Sequence, residues 1–277
     1  MGVLILSREL GSGGDAIAKR VADELGWTLL DNDGFAAAAR SYGYVRAELE
    51  RVDERSPSLV DRFFRDRQLV YLDTMRAIVY ESALKDNHVI LGHGAHILLR
   101  GIPGVFRSRV VAPNESRQRR LVQHEALSPA MAEEFILHND RERTSYSRYF
   151  FGAAWGEPSD FDIVLNTGFW TEEEAARVLI GLLRKAAQEQ PAPSSSVPLQ
   201  NLAFAQRVKA ALMTDDRLDA SGIAVDCAAP GRLRLHGRVN SDEEKELAES
   251  IARSFSGVQA LESELVVMPP IEGWYPV

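Results

Sequence analysis

An unbroken apolar run at residues 3–6 leads to a glycine cluster, Gly11, Gly13 and Gly14, which opens directly into a helical pattern over residues 15–25. Few folds accommodate that order. Strand, glycine-rich loop and helix in succession form the arrangement in which backbone amides and a helix N-terminus converge on phosphate. Glycines admit the φ/ψ values that turn amides inward, and the helix adds partial positive charge. The common pattern G-x-x-x-x-G-K-[ST] requires lysine and a hydroxyl where this chain has Gly14 and Asp15. The backbone contribution of Gly11, Ser12, Gly13 and Gly14 survives. The lysine on the terminal phosphates and the hydroxyl on magnesium do not. Lys19 is no replacement, because it lies about 7.5 Å further along the helix and points outward. Arg8, at the loop entrance, is the candidate substitute cation, since a guanidinium clamps phosphate from another direction. The alternative is a surface arginine paired with Glu9. Asp15 also suits a first helical turn in its own right.

Short apolar strands at residues 3–7, 28–30, 88–92, 107–112 and 162–166 alternate with helical patterns at 15–25, 59–84, 115–125, 129–145 and 171–188. "HVILG" and "FDIVLN" lack polar alternation, as parallel strands covered on both faces do. The expected fold class is α/β, a doubly wound parallel sheet. In the helix over 59–84, Phe63, Leu69, Leu72, Met75, Ile78 and Val79 recur at spacings of three and four and form a buried stripe. "QEQPAPSSSVPLQ" then breaks the period and reads as a linker at 189–200, which bounds a first domain at 1–188. Residues 201–270 follow an αββαβ order, a second, smaller α+β domain, with Ser241 as a helix N-cap and Glu244 three residues on.

Composition narrows the partners. A formal charge of -8 and a pI near 5.4 leave no basic face for a nucleic acid polymer or an anionic membrane. A single cysteine, Cys227, excludes an intramolecular disulfide and a zinc cluster, and it reads as a small buried residue in a strand. No apolar run approaches a membrane span, and no signal peptide pattern opens the sequence. The expectation is a cytoplasmic protein that is not integral to a membrane.

"SRELGSGGDAIAKRVADELG" resembles the opening of the cytidylate kinase-like proteins, a branch of the nucleoside monophosphate kinase group whose loop carries S-R-x-x-G-S-G-G in place of the lysine form. The resemblance continues in "VILGHGAHILLR", "RVVAPNESRQRR", "HNDRERTSYSRYFFGAAW" and "DFDIVLNT", and covers nearly all of residues 1–185. It implies a sheet of P-loop kinase type, ATP and Mg2+ as cofactors, and ATP-dependent phosphoryl transfer to a nucleoside monophosphate or similar acceptor. Metal ligands it leaves unassigned.

On that resemblance, Arg8, Gly11, Ser12, Gly13, Gly14 and Asp15 hold the nucleotide phosphates, and Asn166 lies where the chain passes the adenine. An arginine-bearing lid, "NDRERTSYSRYF", supplies Arg141, Arg143 and Arg148. If the segment is helical, Arg141 and Arg148 share a face and Arg143 turns away; a salt-bridged helix using Asp140 and Glu142 is the plain alternative. Asp31, Asp33 and Arg40 match the polar set that holds the acceptor monophosphate, and Asp33 equally suits a cap for the helix that follows. "GHGAH" departs from the pattern. Relatives usually carry Arg where His93 stands, and the cytidylate enzymes carry Asp where Gly94 stands, so no preference for cytosine is implied. A neutral His93 offers one hydrogen bond to an acceptor but no bidentate clamp. His93 and His96 lack a third ligand for a metal.

The C-terminal part resembles a BON domain, on "GRLRLHGRV", "SDEEKELAESIARSFSGV" and "ALESELVV". That family is associated with binding, commonly to phospholipid. With a negative net charge, protein contact or homo-oligomerisation fits here equally well. Two functions follow from the whole: an atypical kinase, or a nucleotide sensor that signals through its BON domain after losing the lysine.

Overall fold

The computed structural model describes residues 2–40, 65–215 and 217–268, with side chains from residue 71 in the second stretch. Strand β1 (Val3–Arg8) is buried along its whole length. It lies at the centre of a five-stranded sheet with β2 (Thr28–Leu30), β3 (His88–Leu91), β4 (Val105–Val111) and β5 (Ile163–Asn166), ordered β2-β3-β1-β4-β5. All pairings are parallel. The connecting helices are α1 (Gly14–Leu25), α2 (Asn32–Arg40), α3 (Arg65–Leu84), α4 (Ala95–Leu98), α5 (Asn114–Glu125), α6 (Pro129–Phe151) and α7 (Glu172–Glu189). Leu4 and Leu6 pack with Ile17 and Val21 of α1 and Leu179 and Leu183 of α7. Each such side chain contributes roughly 1.5–3 kcal/mol of burial. Because β1 has β3 on one side and β4 on the other, connections diverge at its carboxyl end and leave a crevice there.

The periodicity of the sequence located most of these elements. The one-turn α4 escaped it because four residues cannot display a helical period. Helix α6 continues past residue 145 to Phe151, where Gly152 adopts the left-handed cap and donates to Arg148 O. In α3, Leu72, Met75, Ile78 and Val79 are buried. The start of the long helical pattern, with Phe63, and the side chain of Leu69 lie outside the described residues.

The chain divides into two compact units, Met1–Phe64 with Ile78–Ser196 and Arg65–Ala77 with Val197–Val277. The Pro/Ser-rich stretch is more ordered than its composition suggests. A 3-10 turn covers Pro193–Ser195, and a helix already begins at Val197. Buried Asp86, in the turn before β3, accepts bonds from Ser194 N at 3.1 Å and Ser194 Oγ at 2.6 Å, while Gly104 N donates to Gln190 Oε1 at 2.9 Å. Ser194→Ala removes one of these bonds, worth about 1 kcal/mol. It is expected to raise cleavage of residues 189–196 by a broad-specificity protease roughly fivefold; an unchanged rate would show that the stretch is not strapped down.

The second unit comprises α8 (Val197–Met213), β6 (Ile223–Ala229), β7 (Arg232–Val239), α9 (Asp242–Ser254) and β8 (Ala260–Val267), besides the first part of α3. Strand β7 is central, antiparallel to β6 and parallel to β8. Alternation along β7 puts Leu233 and Leu235 in a core with Val208, Leu212, Ala248 and Ala252. Ser241 caps α9 by accepting from Glu244 N at 3.2 Å. Cys227 is half-buried rather than buried, because β6 is an edge strand, and its Sγ lies 3.1 Å from Ala229 O.

Lys209 is buried and donates to Ala220 O and Ile223 O, with Asp73 at 3.8 Å. Burial pushes its ammonium below the ordinary 10.5, against the pull of Asp73 and Asp219. Between the lowered value and 10.5 the unfolded chain holds a proton that the folded one has released, so stability rises with pH across that window. Denaturant unfolding at pH 8 and 10.5 is expected to show this gain in the wild type relative to Lys209→Met; identical pH dependence would refute it. Among the described residues no helix is long and apolar enough to cross a membrane.

Candidate functional site

Four segments meet in the crevice at the carboxyl end of the sheet: the glycine loop after β1, the turn after β3, the start of α5 after β4, and Thr167 after β5. Gly13 caps α1 in the left-handed conformation, φ +81°, and no side chain caps that end. The first amides of α1 therefore face outward from the helix with no intrahelical acceptor. At Gly14 a Cβ would lie 2.8 Å from Arg8 Cγ and closer still to Arg8 Cβ. The Arg8 stem fills the space that a side chain at position 14 would need. Its guanidinium reaches the head of α1 and pairs with Asp15 at 3.2 Å rather than with Glu9.

Glu9 instead serves a network behind the loop. Its carboxylate accepts from Ala112 N at 3.2 Å and Arg109 Nη2 at 3.4 Å, and Arg117 lies 3.7 Å away. Arg117 grips Asp140 in a two-pronged pair at 2.7 and 2.9 Å and donates through Nε to Leu10 O at 2.7 Å. Arg120 donates to Gly11 O at 3.2 Å and Thr167 O at 2.8 Å, and Thr167 Oγ1 donates to Ser12 O at 2.6 Å. Arg143 donates to Arg8 O at 3.3 Å. Arg109 lies 4.3 Å from the Trp155 ring centre, with Arg143 at 6.0 Å from the same ring. Burial lowers the Arg109 pKa from its usual range; Glu9 opposes this and Arg143 adds to it. Glu172, in the first turn of α7, rests its carboxylate against Gly13.

Beside the loop, a recess is lined by Ser7, His93, Arg143, Tyr146, Phe151 and Trp155, among others. His93 is buried and left-handed, φ +57°, between two left-handed glycines. Its Nδ1 lies 3.1 Å from Leu91 O, and its ring stacks on Phe35 at 3.7 Å. A non-glycine residue held there costs on the order of 1 kcal/mol or more, a strain that clusters at functional sites. Phe151 packs on the backbone of Gly94 so closely that a Cβ there would collide with its ring.

Residues 3–168 match the cytidylate kinase-like family. The chain belongs to that family. Residues 203–269 form a BON domain. Cytidylate kinase of Ignicoccus hospitalis is 26% identical over 184 residues, which span 66% of this chain and 99% of that protein. Among solved structures, an uncharacterized protein from Eubacterium ventriosum superimposes with a TM-score of 0.50 at 20% identity, covering 66% of this chain and 99% of that one, a likeness of fold alone.

Several of the side chains that the family pattern singles out lie away from the loop. Of the three lid arginines, Arg143 reaches the loop, while Arg141 and Arg148 are exposed on α6. Asp31, not Asp33, caps α2, accepting from Gly34 N at 2.9 Å; Asp33 and Arg40 are exposed. Asn166 Oδ1 accepts from Gly168 N at 2.9 Å and is committed to its own turn. Ser12 is fully buried, its hydroxyl donating to Glu9 O at 2.7 Å. Lys19 is exposed. His96 is buried and stacked on Phe161 at 4.8 Å. Sequence reading missed Glu9, Arg109, Arg117, Arg120 and Asp140 as parts of the site. Two signals were there to be read: a charged residue inside the apolar strand at 105–111, and Arg117 and Arg120 at a spacing that shares a helix face.

Proposed function

We propose that the first unit binds ATP at the glycine loop and transfers its terminal phosphoryl group to a small phosphate-bearing acceptor, a nucleoside monophosphate or close analogue, in the recess beside His93. The observation that carries this reading is the charge around the loop. Among the described residues, five guanidiniums, Arg8, Arg109, Arg117, Arg120 and Arg143, gather around the loop with four carboxylates, Glu9, Asp15, Asp140 and Glu172, a set in which cations outnumber anions. A polyphosphate completes it, with the amides at the head of α1 adding their dipole.

In the transfer, an acceptor oxygen attacks the terminal phosphorus, the bond to the bridging oxygen breaks, and ADP leaves. Arg143, at the boundary of loop and recess, is the guanidinium best placed to stabilise the charge that develops between them. Arg143→Ala is expected to lower kcat about 100-fold or more, and Arg141→Ala much less; equal losses would point to a lid that carries both. Among the described residues no trio of His, Cys, Asp or Glu could hold a metal unaided. Magnesium normally needs only one or two carboxylates beside the phosphates, and Asp15 and Glu172 at the rim of the loop fit that demand. There the ion would neutralise phosphate charge.

The test is turnover of ATP with a panel of monophosphates in the presence of magnesium. Turnover with at least one acceptor is expected. Tight ATP binding with none would support the rival reading, a nucleotide sensor, which rests on the missing lysine and hydroxyl. An ATP-consuming reaction fits the cytoplasm, where ATP is supplied. For the BON domain we favour a protein ligand over a lipid surface. On β7 the exposed Arg232, Arg234 and Arg238 are interspersed with Asp226, Glu262 and Glu264 of the flanking strands, so that face carries no uniform positive charge.

A further inference from the structure

We infer that Arg117, Arg120 and Thr167 are positioning residues that set the orientation of the glycine loop by holding its carbonyls, a conclusion that rests on the polyphosphate reading above. The carbonyls of six consecutive residues are all engaged. Arg8 O accepts from Arg143, and Glu9 O from Ser12 N and Oγ. Leu10 O accepts from Arg117 Nε, Gly11 O from Arg120, Ser12 O from Thr167 Oγ1, and Gly13 O from Ile17 N. Three of these donors come from α5 and from Thr167, just after β5.

In a trans peptide the C=O of one residue and the N–H of the next point in opposite directions. Fixing Leu10 O on Arg117 therefore turns the Gly11 amide to the opposite, concave side, and fixing Ser12 O on Thr167 does the same for the Gly13 amide. The Ser12 amide closes the turn on Glu9 O at 3.1 Å. Arg117 and Arg120 thus spend their forks on loop carbonyls, on Thr167 and on Asn114 and Asp140, with Glu9 close by, so their part in binding is to position the loop. Where a lysine would pull phosphate into a pliant loop, this chain arranges the amides beforehand, which removes a reorganisation cost from binding. Thr167 is buried, so the brace is shielded from competing water.

The test uses inorganic tripolyphosphate, which probes the loop without a base or sugar. Calorimetry on the full chain is expected to show binding to the wild type, a loss of about tenfold or more in Thr167→Val, and near wild-type affinity in Thr167→Ser, which restores the donor. Ligand-free melting temperatures of the two variants check that folding is not the cause. Binding by Thr167→Val equal to wild type overturns the brace and leaves the polyphosphate reading standing. A wild type that ignores tripolyphosphate overturns both. Should Thr167→Val fail to fold, the wild type still decides the matter: the Gly11 and Gly13 amide proton resonances move downfield on addition of tripolyphosphate, and their failure to move while the ligand binds overturns the brace.

Discussion

Gly14→Lys, which restores the lysine of ordinary phosphate-binding loops, is expected to weaken ATP binding at least tenfold. Any side chain at position 14 begins with a Cβ in the space of Arg8 Cβ and Cγ, and Arg8 is a buried residue at the end of the central strand. Neither backbone can retreat without breaking strand or helix. Overpacking of this kind costs about 1–3 kcal/mol, and here it displaces the loop itself. The repair is Arg8→Gly together with Gly14→Lys, because an alanine at position 8 would keep the offending Cβ. The double variant is expected to recover binding that Gly14→Lys alone loses, with a coupling of at least about 1 kcal/mol in the double-mutant cycle. Single and double variants that lose the same affinity would show that the two positions do not exclude one another. Gly14→Lys that binds ATP more tightly than the wild type would refute the steric account outright.

The largest stability loss is expected from Arg117→Met. Only 3% of its side chain is exposed, and its removal strands the carboxylates of Asp140 and Glu9 together with the Leu10 carbonyl. Breaking a buried pair by deleting one partner costs about 3–5 kcal/mol, and the partial exposure of Asp140 and Glu9 puts this loss at the lower end. For a unit of this size that corresponds to a fall of roughly 10 °C in Tm. Arg117→Lys should recover little, since an ammonium cannot bond both Asp140 oxygens and the loop carbonyl in one plane. A Tm within 2 °C or so of wild type in Arg117→Met would mean that the network is not a structural keystone.

What the sequence disclosed follows from how locally each feature is encoded. Strand β1, the glycine loop and α1 are contiguous, so an apolar run, three glycines and a helical period were sufficient. The arginines behind the loop are not local. Arg109 acquires its role from Glu9, one hundred residues away, and from Trp155, and neither is visible in the pattern around it. The rotation of α6 was legible in principle. Ala132, Ile136 and Ser147 are its buried stripe, and Arg143 falls on that stripe by spacings of three and four while Arg141 does not. The mutual spacing of the arginines groups Arg141 with Arg148, whereas their phase against the apolar residues singles out Arg143 as the one that reaches the loop. Asp31 and Asp33 are both acceptable caps by type, and only the chain path decides that Asp31 turns back to Gly34 N.

The central claim is that a loop without lysine holds polyphosphate through backbone amides and Arg8. The most direct measurement is a crystal structure of the full chain with magnesium and a non-hydrolysable ATP analogue. The account predicts phosphate oxygens within about 3 Å of the Gly13 and Gly14 nitrogens, with the Arg8 guanidinium on the same phosphates. A nucleotide bound elsewhere, with the glycine loop unchanged and bare, would contradict it.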